Sequence, residues 1–90
     1  MEEIDYIEES KRIIYKARNL VYYWGIDTRQ NPNYHTPLSQ LRERINRCLY
    51  YLQDPYIREE IISIQRCLPK TIKEENVPEI MSQLKQLSSE

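Results

Sequence analysis

The sequence predicts an all-α protein: a small three- or four-helix bundle with a long first helix. Three observations carry that reading. Apolar residues recur at intervals of three and four along most of the chain, the period of a helix face. No stretch of useful length alternates apolar and polar residues as a half-buried strand does. Thr36-Pro37 and Asp54-Pro55 each pair a capping side chain with a proline suited to a first helical position. The 90 residues are enough for one core and too few for two, so 1–90 reads as a single helical domain.

The first helix is expected over about 2–24. Ile7, Ile14 and Val21 recur every seven residues, with Ala17 and Trp24 interleaved and Ile13 and Leu20 alongside, giving one wide apolar face. Acids at its start and Lys16 and Arg18 further along suit the helix dipole. Gly25 is the expected stop, since glycine most readily takes the left-handed conformation that ends a helix. Residues 26–36 are rich in turn formers and read as a loop. Its length leaves room for a functional role.

The second helix is expected over 37–53, with Thr36 as cap. Leu38, Leu41, Ile45, Cys48 and Leu52 follow a 3-4-3-4 spacing, and Leu49 widens the stripe. Asp54-Pro55 stops that helix and starts a third, over 55–67, in which Ile57, Ile61, Ile64 and Leu68 step by four, three and four. Leu68-Pro69 ends it. A polar connector from Lys70 to Glu75 leads to a fourth helix over 77–88, with Asn76 and Glu79 at capping-box spacing and Val77, Ile80, Met81, Leu84 and Leu87 inward. The first helix, about 33 Å by its rise, outreaches the others at about 25, 20 and 16 Å. Its surplus apolar face predicts either an irregular bundle or cover from a second copy, a homodimer.

Composition narrows the function classes. Net charge is −1 but unevenly spread: five acids and no base in residues 1–10, then eight bases against two acids over 11–53. The longest apolar run, Leu20-Val21-Tyr22-Tyr23-Trp24, is far short of the ~20 residues of a membrane span, so no membrane partner is expected. The acidic start lacks the pattern of a secretory signal, and the expected location is cytoplasmic. Cys48 and Cys67 both fall in apolar-periodic segments and read as buried free thiols.

Catalysis is not expected. His35 is the only histidine, the two cysteines stand nineteen positions apart, and a single glycine rules out a glycine-rich phosphate loop. Carboxylate metal sites in bundles are built on Glu-x-x-His pairs, which do not occur. No metal, cofactor or catalytic residue is therefore assigned.

What remains is a binding surface. There are eight tyrosines and no phenylalanine. Lys11, Tyr15, Arg18 and Tyr22 stand at i, i+4, i+7 and i+11, a stripe roughly opposite the apolar face of the first helix. On the second helix Tyr50 points away from the seam, with Arg44, Arg47 and Tyr51 on its flank. Tyrosine and arginine dominate binding hot spots, each giving a large contact area with a polar tip. The same tyrosines would also suit the edge of a thin bundle. The expected function is a non-enzymatic helical adaptor or regulator that docks a protein partner through Lys11, Tyr15, Arg18 and Tyr22, with Arg47, Tyr50 and Tyr51 as a second patch. The alternative is nucleic-acid binding through a basic face formed by 11–18 and 42–47, with tyrosines stacking on bases. Glu59-Glu60 at the start of a recognition helix argues against a helix-turn-helix.

Overall fold

Asp5 opens the first helix. Its Oδ1 accepts from the backbone amides of Ile7 and Glu8 at 3.1 and 3.3 Å, satisfying two of the four donors that a helix start leaves unpaired. In this computed structural model, which describes residues 4–27 and 33–88, α1 runs Tyr6–Asp27. The start is therefore later than the expected Glu2. The stop is later too: α1 continues through Gly25, and Trp24 packs edge-on against Tyr34, ring centres 5.5 Å apart, which anchors the last turns. Of the expected 26–36 loop, residues 28–32 lie outside the described residues, while 26–27 belong to α1 and 35–36 to α2.

α2 runs His35–Tyr51. Thr36 is not its cap. The helix starts two residues earlier than expected, behind Tyr34, which makes no side-chain capping bond, and the Thr36 hydroxyl donates to Asn33 Oδ1 at 3.1 Å. Pro37 then sits within the first turn, where its missing N–H costs nothing.

The joint to α3 matches the expectation closely. Leu52 turns extended at ψ 128°, and Asp54 Oδ1 accepts from Tyr56 N and Ile57 N, both at 3.0 Å. α3 runs Pro55–Arg66. Arg58 reaches back from its first turn: Nη1 donates to the carbonyls of Leu49 at 2.6 Å and Leu52 at 3.0 Å, acceptors that the end of α2 leaves without helical partners.

The connector is less polar than it reads, because Leu68 and Ile72 are both buried. Asn76 closes a 3-10 turn, Glu74–Asn76, by accepting from Lys73 N at 3.1 Å. Its cap thus faces backward, not toward Glu79. α4 runs Val77–Ser88.

The four helices form an all-α bundle in which α1 packs against the other three, α2 pairs with α3, and α4 rests mainly on α1. The shortest dimension of 21 Å among extents of 42 × 31 × 21 Å is two helix diameters, so the bundle is two layers thick. The core joins Ile13, Ala17 and Leu20 of α1 to Leu38, Leu41, Ile45 and Cys48 of α2, Ile61 and Ile64 of α3, and Ile80, Met81 and Leu84 of α4.

The seam of α1 is rotated from the expected one. Ser10, Ile13, Ala17 and Leu20 are buried, whereas Ile14, Val21 and Trp24 are half-buried and Ile7 is 42% exposed. Ser10 can be fully buried because its hydroxyl is satisfied: it donates to Tyr6 O at 2.6 Å and lies 3.1 Å from Cys48 Sγ. Both cysteines are free, but only Cys48 is in the core; Cys67 is half-buried. Among the described residues no helix is long and apolar enough to cross a membrane.

Candidate interaction surface

Rotation of the α1 seam toward Ser10 and Ile13 fixes what lies on the opposite side. At about 100° per residue, Lys11, Tyr15, Arg18 and Tyr22 fall within an arc of about 60° roughly opposite the buried line. All four are exposed, Tyr15 to 67% and Tyr22 to 64%. Tyr22 meets Tyr23 edge-on at 5.4 Å. Neither Lys11 nor Arg18 is in an ion pair among the described residues.

The stripe is bordered by relief on both sides. Arg18 lines a cavity of about 300 Å³ between α1, α3 and α4, with Ile14, Ala17, Glu60, Ile64 and Leu84. Further along, Arg18 and Tyr22 edge a groove against Pro78, Met81 and Ser82 of α4. On the α2 side, Lys11, Arg12, Tyr15 and Lys16 share a shallow depression with Glu8 and Arg44.

The line extends further than the sequence reading took it. Stepping back from Lys11 by three reaches the exposed Glu8, and Ile4, 59% exposed, lies before the helix begins at Tyr6. The 3-4 spacing itself was the signal. It is masked by the acidic run at 2–9, which reads as helix-start charge.

The second patch lies elsewhere. Tyr50 is 82% exposed and Arg47 is exposed. Tyr51 stacks on Tyr6 with ring centres 4.8 Å apart and planes at 17°, and Tyr50 meets Tyr51 edge-on at 4.9 Å. Tyr6 lies about 160° around α1 from the stripe, so the two tyrosine groups do not form one surface.

Of the α2 bases, Arg44 borders the depression that holds Lys11, Arg12 and Lys16, but its charge is already paired. Arg44 Nη2 donates to Glu9 Oε1 at 2.7 Å, the one ion pair between α1 and α2 among the described residues. That pairing neutralises the arginine nearest to Lys11 and Arg12. Arg42, about 160° around α2 from Arg44, is half-buried, and its Nε is buried without a hydrogen-bond partner.

Groups suited to chemistry are dispersed. Among the described residues no three His, Cys, Asp or Glu side chains come close enough to share a metal ion. His35 is half-buried at the start of α2, with Nδ1 unpaired. Burial pushes the Cys67 thiol above its ordinary range, so it is a poorer nucleophile than a free cysteine.

Fold and surface together define a small all-α bundle whose longest helix turns an uncovered tyrosine-rich, basic face to solvent. Compared with protein-family models, curated proteins and solved structures, the chain matches none.

Proposed function

We propose that this chain is a non-enzymatic, cytoplasmic helical adaptor or regulator that docks a protein partner on the outer face of α1, through Lys11, Tyr15, Arg18 and Tyr22. One observation supports this above the others. Two tyrosines, each about two-thirds exposed, stand on the line opposite the core, beside cations that have no ion pair among the described residues. Tyrosine at such a position costs little conformational entropy on docking and brings a large contact area. Arg47, Tyr50 and Tyr51 supply a second, separate patch; Tyr51 is partly committed to its stack on Tyr6.

A protein partner is favoured over nucleic acid because the basic band is interrupted, with Arg44 tied to Glu9 and Arg42 on the other flank of α2. Phosphate binding would need a run of available cations and would weaken steeply with salt.

The test is affinity capture from the native host with the wild type and the Tyr15→Ala/Tyr22→Ala double variant, read by mass spectrometry. A protein recovered by the wild type and lost by the folded variant carries the reading. Recovery of the same set by both refutes it, and salt-sensitive recovery of nucleic acid alone replaces it with the nucleic-acid reading.

A further inference from the structure

Glu8, Lys11, Tyr15, Arg18 and Tyr22 follow one another at intervals of three, four, three and four, with the exposed Ile4 at the end of the line just before the Asp5 cap. This is heptad spacing, the spacing that pairs two helices along a seam. Here the heptad runs along the outside of α1, opposite the core that the other three helices cover. A second helix laid on it would meet side chains at regular layers.

The order of chemistry along the line is self-complementary when read in reverse. A two-fold axis crossing α1 at the level of Ile13 puts Glu8 opposite Arg18 of a second copy, Lys11 opposite its Tyr15, and Ile4 at the level of its Tyr22. Each layer is a favourable pairing: carboxylate with guanidinium, ammonium with an aromatic face, aliphatic with aromatic. The same rotation makes every layer occur twice, as an isologous interface requires.

Other alignments lose this match. Parallel pairing places Glu8 on Glu8, Lys11 on Lys11 and Arg18 on Arg18. An antiparallel shift of one heptad toward the C-terminus faces Glu8 with Gly25 and loses both ion pairs. A shift the other way carries Arg18 and Tyr22 past the start of the partner helix.

We infer that the partner of this face is a second copy of the chain, paired antiparallel along α1 with Glu8 of each copy against Arg18 of the other. The inference rests on the partner-binding reading of that face and names the occupant. Neither Glu8 nor Arg18 is in an ion pair within the chain among the described residues, and Glu60, across the cavity that Arg18 lines, is beyond ion-pair distance. Both charges are therefore available to a partner.

The area sets the strength. Six exposed side chains at roughly 100 Å² each give roughly 600 Å² per copy, or roughly 1,200 Å² in total, the lower edge of stable interfaces. An interface of that size is expected to be reversible and concentration-dependent.

Sedimentation velocity on the full chain, from about 5 to 500 µM, tests this with charge reversals whose fold is checked by circular dichroism. The wild type should dimerise reversibly. Glu8→Lys and Arg18→Glu should each weaken dimerisation by at least about tenfold, because each places two like-charge pairs in the interface. An equimolar mixture of the two variants should dimerise again, since every substituted side chain then meets the opposite charge. The double variant E8K/R18E should pair like the wild type, since each exchanged charge again meets its opposite; in a parallel arrangement each single reversal would instead leave pairing unchanged. A wild type that stays monomeric throughout, or a dimer indifferent to both reversals, overturns the proposal. In either case, a host protein captured by the wild type and lost by Y15A/Y22A would leave the partner-binding face standing with a different occupant. Capture unchanged by Y15A/Y22A would remove the face itself.

Discussion

Gly25→Ala separates two descriptions of the end of α1 by the sign of its effect. At a left-handed helix stop, an added Cβ would clash with the backbone and cost about 1–2 kcal/mol. In the structure Gly25 lies inside α1, two residues before its end at Asp27, and a Cβ built on it meets no heavy atom within 4 Å. The substitution then only removes backbone freedom from the unfolded chain and adds helix propensity, together about 0.5–1 kcal/mol in a helix interior. Position in the last turn, where helices fray, discounts this to about 0.5 kcal/mol. For a domain of this size that is a rise in Tm of about 2–4 °C. Urea and thermal unfolding followed at 222 nm measure both quantities. A fall in Tm, or a loss of 1 kcal/mol or more, would show that the helix ends at Gly25 and that the final turn of α1 is misassigned.

Four further outcomes follow from the packing. Arg58→Met keeps the aliphatic stem but strips two charge-assisted bonds from the end of α2, and should cost about 2 kcal/mol in urea unfolding; a change under about 0.5 kcal/mol would mean that water serves those carbonyls equally well. Asp54→Ala removes the α3 cap and should cost about 1 kcal/mol, with Asp54→Asn recovering most of it. Tyr15→Ala/Tyr22→Ala should leave the unfolding midpoint of the monomer, measured at low micromolar concentration, within about 0.5 kcal/mol of wild type; early melting would place those rings in the core. For the thiols, Cys48 should resist alkylation until the protein opens, while Cys67 should react slowly, because burial raises its pKa. A raised thiol pKa favours the folded state below the ordinary thiol range and loses that contribution as pH climbs through the folded value. Native-state alkylation of Cys67 that is as fast as a peptide cysteine at pH 8.5 would contradict the burial.

The fold was legible where local chemistry and burial coincide. Asp54-Pro55 is both a side-chain cap and a proline at the first helical position, and the α2–α3 joint forms there. The α2 seam, Leu38 to Leu52, has a single apolar register, and the core uses it. α1 offered two registers. Ile7, Ile14 and Val21 are apolar by composition, but the seam runs through Ser10, whose burial depends on Tyr6 O and on Cys48, 38 residues away. No local rule anticipates a serine satisfied by a distant thiol. Ile72 was hidden similarly: one apolar residue among lysines and glutamates gives no period to detect. On the candidate surface, the exposed tyrosines were readable because they lie off both apolar registers of α1. Glu8 was not, since a glutamate in a first turn already has an explanation in the helix dipole.

The central place of α1 has a consequence for how the protein is made. It is synthesised before the three helices that cover it, and its buried face is completed only by α4. At about 5–20 residues per second, the interval between the codons of Asp27 and Ser88 is roughly 3–12 s. α2 and α3, joined by the short turn at Asp54, can pair with α1 during that time. The strip under α4, around Ala17, Val21 and Trp24, stays open to the nascent-chain environment until α4 has been made. Slowing elongation after residue 66 would lengthen the time for which that apolar strip is exposed.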